Sequence, residues 1–207
     1  MTILTRRFTD AVDYARIAHA AQFRKGSGIP YIYHLLGVAS LVLEYAGSED
    51  QAIAGLLHDV LEDCGAGHEG TIRAQFGDRV ADIVVACTDG TVEGKAAAQA
   101  GGSAYDHWRE RKLRYLAHIE HEPADALLVS GCDKLHNARA ILGDLEDPAV
   151  GAAVFERFTA RRDGTLAYYQ SLAQILTRRA APMALAFERV VARMHELAGA
   201  SERRGLG

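Results

Sequence analysis

Apolar residues recur along this chain three or four positions apart almost throughout, and alternating runs bounded by turn residues are hard to find. That periodicity predicts an all-α fold. Ser48-Glu49-Asp50-Gln51 is a capping box, in which serine and glutamine side chains each satisfy a backbone group that a helix start leaves unpaired. A helix is therefore expected from that point through AIAGLLHDVLED, stopping near Gly65. Other helices are expected over roughly 9–22, 34–46, 78–88, 104–119, 124–142 and 164–179. Asp147-Pro148 and Ala181-Pro182 read as starts of further helices, since proline at the first helical position loses no hydrogen bond. Two stretches break the pattern and read as loops: Lys25-Gly26-Ser27-Gly28, and the glycine- and alanine-rich run 89–102, expected to be a rim, a lid or a disordered insert.

With 207 residues, 49% of them hydrophobic, the chain can bury one substantial core and is short for two. One domain spanning 1–207 is expected, with its core at about 8–180 and a terminal helix at about 182–199. The net charge of −4 offers no broad basic surface, which argues against a nucleic-acid polymer or a membrane as partner. Three cysteines without a CxxC pair fit reduced thiols better than a disulfide framework. No segment approaches the roughly 20 apolar residues of a membrane span, and the first residues lack a signal-peptide pattern. A cytoplasmic protein is expected.

The chemistry concentrates in GLLHDVLED, where two metal-ligand residue types sit inside an apolar helix. On a continuous helix, with His58 taken as zero, Asp59 falls at about 100°, Glu62 at about 40° and Asp63 at about 140°, so all four share a face. Gly55 and Ala52 lie on that face too, and their small side chains are expected to leave room for an ion and its substrate. A histidine beside a carboxylate is a mixed nitrogen and oxygen ligand set suited to zinc, manganese or iron, and it needs further ligands from elsewhere. Two candidates are His34, after the aromatic run Pro30-Tyr31-Ile32-Tyr33, and Asp133, after the apolar run 126–129 with Asn137 one turn on. Each has a plainer alternative, His34 as a capping or core histidine and Asp133 with Lys134 as a surface pair. Glu62 and Asp63 could likewise be solvated charges at a helix end. His19, His68, His107, His118, His121 and His195 share no face with the cluster and read as structural or surface residues. His136, beside the candidate ligand Asp133, reads as a hydrogen-bonding support.

The order of these motifs, one histidine, a His-Asp pair and a distant aspartate, resembles the HD-domain metal-dependent phosphohydrolases. Four segments resemble more closely the hydrolase domain of the RelA/SpoT family and its stand-alone small alarmone hydrolases: QFRKGSGIPYIYHLLGVA, AGLLHDVLEDC, FGDRVADIVVACTDG and CDKLHNAR. The resemblance covers about residues 8–180 and implies a helical bundle of about eight to ten helices. It implies removal of the 3′-pyrophosphate from guanosine tetra- or pentaphosphate, with one manganese ion as cofactor and a small nucleotide as the partner. Carried over residue by residue, His34, His58, Asp59 and Asp133 match the metal ligands and Glu62-Asp63 the acidic pair that handles the attacking water. Arg24 and Lys25 match a basic pair near the phosphates, and Asn137 and Tyr168 match nucleotide contacts. Apart from the resemblance, Lys95 in the 89–102 loop is a weaker candidate for holding phosphate. The chain departs from the family at Leu35, Val60 and Ser130, where proline, threonine and lysine are usual. Ser130 bears on substrate identity rather than on metal binding. The alternatives are an HD enzyme for another nucleotide, such as an adenosine alarmone, a dinucleotide cofactor or a deoxynucleotide, and a non-catalytic alarmone-binding module.

Overall fold

A computed structural model describes residues 2–88 and 103–206. The 89–102 loop and Lys95 lie outside the described residues. Among the described residues the secondary structure is helical, with an isolated bridge between Phe23 and Pro30 in place of any strand. None of the described helices is long and apolar enough to cross a membrane. The described residues group into two compact units, one formed by 2–88 with 122–133 and the other by 103–121 with 134–206.

The first unit holds α1 (Arg6–Ala18), α2 (Ile32–Glu44), α3 (Glu49–Leu57), α4 (Val60–Cys64), α5 (His68–Phe76), α6 (Asp78–Cys87) and the opening turns of α8 (Ala124–Glu146). α3 is its central element, because every residue from Gln51 to Leu57 is buried and the helix packs against α1, α2 and α6. A helix apolar on all sides must be surrounded, and here it is. The capping box at Ser48 forms as the sequence predicts, with Gln51 N–H donating to the serine oxygen at 3.3 Å and Ser48 N–H to the glutamine oxygen at 2.9 Å. Gln51 also donates to the Asp125 carbonyl at 3.2 Å, tying α3 to the start of α8. Between α2 and α3 the chain passes so close that a Cβ on Gly47 would lie 2.5 Å from Val42 Cγ1, so only glycine fits there.

The expected helix through 48–63 is interrupted. His58 and Asp59 form a two-residue turn between α3 and α4, and Gly65, at φ 114°, ends α4. α5 was not expected from the sequence; only Ile72 and Phe76 of its nine residues are buried, too few to set a clear periodic signal.

The second unit holds α7 (Ala104–Ile119), the rest of α8, a 3-10 segment (Gly151–Arg157), α9 (Arg161–Arg178) and α10 (Ala184–Leu197). α7 begins on a second capping box, Ser103 with Asp106. Its last carbonyls, on Ile119 and Glu120, accept from the Arg179 guanidinium at 2.9 and 2.8 Å. α9 packs against α7 and α10, with Tyr169 stacked on Phe187 at 6.1 Å. Neither expected proline start falls at the first helical residue. The Asp147 carboxylate caps a tight turn by accepting from Ala149 N–H at 2.8 Å, and Pro182 lies in a turn two residues before α10.

Candidate metal centre

Three segments of the first unit deliver four side chains to one point. His34 stands in the first turn of α2, where its N–H donates to the Tyr31 carbonyl at 2.9 Å. His58 and Asp59 come from the turn that ends α3, and Asp133 comes from α8. His34 Nε2 lies 3.1 Å from Asp133 Oδ1 and 3.6 Å from Asp59 Oδ2. His58 Nε2 lies 3.1 Å from Asp59 Oδ2 and 3.7 Å from Asp133 Oδ1. The two histidines and Asp133 are buried and Asp59 is half-buried.

Both residues of the turn keep right-handed helical dihedrals, φ −58° and ψ −31° at His58 and φ −93° and ψ −5° at Asp59, so the chain runs on in nearly the same direction. Successive helical residues point about 100° apart. The reach of the two side chains closes that angle and brings His58 Nε2 within 3.1 Å of Asp59 Oδ2. Gly55 does not provide the room expected of it. A Cβ there would sit 3.3 Å from Ala39 Cα, so its small size serves the close packing of α3 on α2. Its carbonyl has a separate task, accepting from His58 Nδ1 at 2.9 Å. That hydrogen bond puts a proton on Nδ1 and turns Nε2, which has no hydrogen-bond partner, into the cluster.

The charges reinforce the arrangement. Burial opposes the charged form of His58, yet the Asp59 and Asp133 carboxylates outweigh it and hold its pKa well above the usual imidazole range. Burial likewise opposes ionisation of Asp59, and His58 and His34 outweigh it, holding the carboxyl well below its ordinary value. The Tyr31 hydroxyl donates to Asp59 Oδ2 at 2.7 Å, and burial, then the Asp59 charge, keeps that phenol protonated.

These residues fit a divalent ion. Two ligand atoms each about 2.1 Å from an ion, and at right angles across it, lie about 3 Å apart. The shortest separations in the cluster are 3.1 Å, and the candidate ligand atoms of His34, His58 and Asp59 all lie within 4.8 Å of one another. A dication would neutralise two carboxylates that are costly to bury together. It would also give the orphaned His58 Nε2 a partner.

The other expected site residues are distributed as follows. Glu62, half-buried, and Asp63, exposed, lie on α4 one turn beyond Asp59, with Asp63 N–H donating to the Asp59 carbonyl at 2.8 Å. The Arg24 guanidinium lies 5.9 Å from the centre of the Tyr31 ring, and Lys25 follows in an exposed turn. That turn is the loop expected at 25–28, closed by Arg24 N–H donating to the Ile29 carbonyl at 2.8 Å. Asn137 and Tyr168 belong to the second unit. Tyr168 is buried there, edge-on to Trp108 at 6.3 Å, with Lys112 Nζ 4.8 Å from its ring centre. His136 also belongs to that unit, buried on α8. Ser130, in the first unit, is buried and donates to the buried Glu122 carboxylate at 2.8 Å.

Sequence reasoning missed Tyr31, noted only as part of an aromatic run. The available signal was its place three residues before His34, one helical turn away.

A helical protein with a buried His, His-Asp and Asp cluster is the pattern of the HD domain, and the family model described as HD domain matches residues 11–166. The chain belongs to that family, and the family implies a divalent metal. Among its relatives, a guanosine-3′,5′-bis(diphosphate) 3′-pyrophosphohydrolase MESH1 of Xenopus tropicalis is 35% identical over 133 residues, covering 63% of this chain and 66% of that protein. A probable enzyme of the same activity from Mycoplasma pneumoniae is 32% identical over 133 residues, covering 64% of this chain. The chain spans 18% of the Mycoplasma protein's length and 17% of that of a similar Aquifex aeolicus hydrolase. A solved structure described as a metazoan ortholog of SpoT that hydrolyzes ppGpp has a TM-score of 0.71 at 23% identity, over 97% of this chain and 99% of that one. It shares the helical fold.

Proposed function

We propose that this chain removes the 3′-pyrophosphate of guanosine tetra- and pentaphosphate, yielding GDP or GTP and pyrophosphate. The observation that carries the proposal is the meeting of His34, His58, Asp59 and Asp133, with His58 Nε2 turned into the cluster. The relatives named for this activity, at 32–35% identity, support the choice of reaction. Residues 1–207 act as a single HD-type domain on this proposal, since the family match at 11–166 takes in parts of both units.

His34, His58, Asp59 and Asp133 hold one divalent ion, manganese. When bound, the ion supplies Lewis acidity that makes a water nucleophilic near neutral pH and offsets charge on the phosphoryl group. Hydrolysis adds the water oxygen to the phosphorus attached to the ribose 3′-oxygen and breaks that P–O bond. The 3′-oxygen leaves with a proton, and the second water proton must be taken up. Glu62 and Asp63, one turn beyond Asp59, orient the water and carry these protons. Arg24 and Lys25 clamp the phosphates so that attacking and leaving oxygens stay in line. Asn137 and Tyr168 contact the nucleoside.

A panel of guanosine tetraphosphate, an adenosine counterpart, a dinucleotide cofactor and a deoxynucleotide, at equal concentration with manganese, tests the assignment. Pyrophosphate release fastest from the guanosine alarmone is expected. Preference for another member overturns the substrate, and tight alarmone binding without turnover overturns the enzyme in favour of a binding module.

A further inference from the structure

Tyr31 is engaged on every side. Its hydroxyl donates to Asp59 Oδ2 at 2.7 Å. Its ring stacks on the buried His19 at 5.2 Å and 26°, meets His34 edge-on at 5.5 Å, and lies under the Arg24 guanidinium at 5.9 Å. Its N–H donates to the Gln22 carbonyl at 3.0 Å, while the Gln22 side-chain oxygen accepts from His19 Nδ1 at 2.6 Å and its amide donates to the Asp63 carbonyl at 3.3 Å.

Asp59 needs such support. A carboxylate's terminal torsion is broad, so nothing intrinsic holds one oxygen toward the two histidines. Asp59 is also half-buried, which lets water compete for its oxygens. His58 is oriented by the Gly55 carbonyl, and the Tyr31 hydroxyl occupies the corresponding place for Asp59. We infer that Tyr31 is a positioning residue for the metal ligand Asp59: its hydroxyl holds Oδ2 toward His34 and His58, and its ring, fixed by His19, ties that carboxylate to the basic turn at Arg24. The inference rests on the proposal that the four-residue cluster holds a divalent ion.

The test is equilibrium titration of manganese into the whole chain, reading free ion by electron paramagnetic resonance, with metal-free Tm in parallel. The proteins are native, Tyr31→Phe, Tyr31→Leu and, as a control, Tyr33→Phe, whose ring is exposed on the same turn. Tyr31→Phe keeps the ring and its stack, so Tm is expected to stay native, while Kd rises roughly tenfold or more, as for other residues that orient metal ligands. Tyr31→Leu is expected to lose both Tm and affinity, and Tyr33→Phe neither. Native affinity in Tyr31→Phe, with native protein binding manganese, overturns the positioning role and leaves the metal centre standing. Absence of manganese binding by the native protein overturns both.

Discussion

His34 on α2 and Asp133 on α8 meet at 3.1 Å although nearly half the chain separates them in sequence. Neither residue lies in the His58-Asp59 turn, so each tests the cluster independently. His34→Gln and Asp133→Asn keep approximate size while weakening ligation. Both are expected to reduce pyrophosphate release more than about a hundredfold, beyond what loss of an orienting neighbour does, with circular dichroism unchanged. Near-native turnover in either variant would remove that residue from the centre.

Gly55 carries a packing role that can be measured apart from chemistry. Any larger side chain must displace the α2 backbone, since even a Cβ would lie 3.3 Å from Ala39 Cα. Gly55→Leu is expected to destabilise the fold by about 1–3 kcal/mol through overpacking. Thermal unfolding checks this, and an unchanged Tm would mean that α2 and α3 separate freely.

The buried Ser130 hydroxyl donates to the buried Glu122 carboxylate at 2.8 Å. Ser130→Ala removes that donor from a buried carboxylate and is expected to cost about 1–3 kcal/mol. Denaturant unfolding measures the loss. Manganese affinity is expected to stay native.

His195 on α10 gives a pH signature. It is buried, and burial, then the nearby Arg203, hold its pKa below the usual imidazole value. The folded chain therefore binds this proton less readily than the unfolded chain. Stability from the neutral ring is full above the unfolded pKa of about 6.5 and is lost as pH falls through the folded value. Between pH 7.5 and 5.5, native protein is expected to lose more Tm than His195→Leu; parallel curves would contradict the assignment.

Local signals foretold much of the helical framework, and contacts between distant segments account for what they did not. Ser48 with Gln51 marks the start of α3 because a capping box is written in four adjacent residues, and α7 spans the expected 104–119. The turn at His58-Asp59 carries no glycine or proline to announce it, so helical arithmetic ran straight through it. Residue type and motif order singled out His34 and Asp133. Tyr31 left one local mark, its spacing to His34, while its contacts through the hydroxyl to Asp59 and through the ring to His19 join segments that sequence alone does not bring together.

Metal content of the purified chain, after equilibrium dialysis against manganese, bears on all of this at once. One ion per native chain and essentially none in Asp133→Ala is the result predicted. Native protein without manganese, or an Asp133→Ala variant that retains a full equivalent, would contradict it.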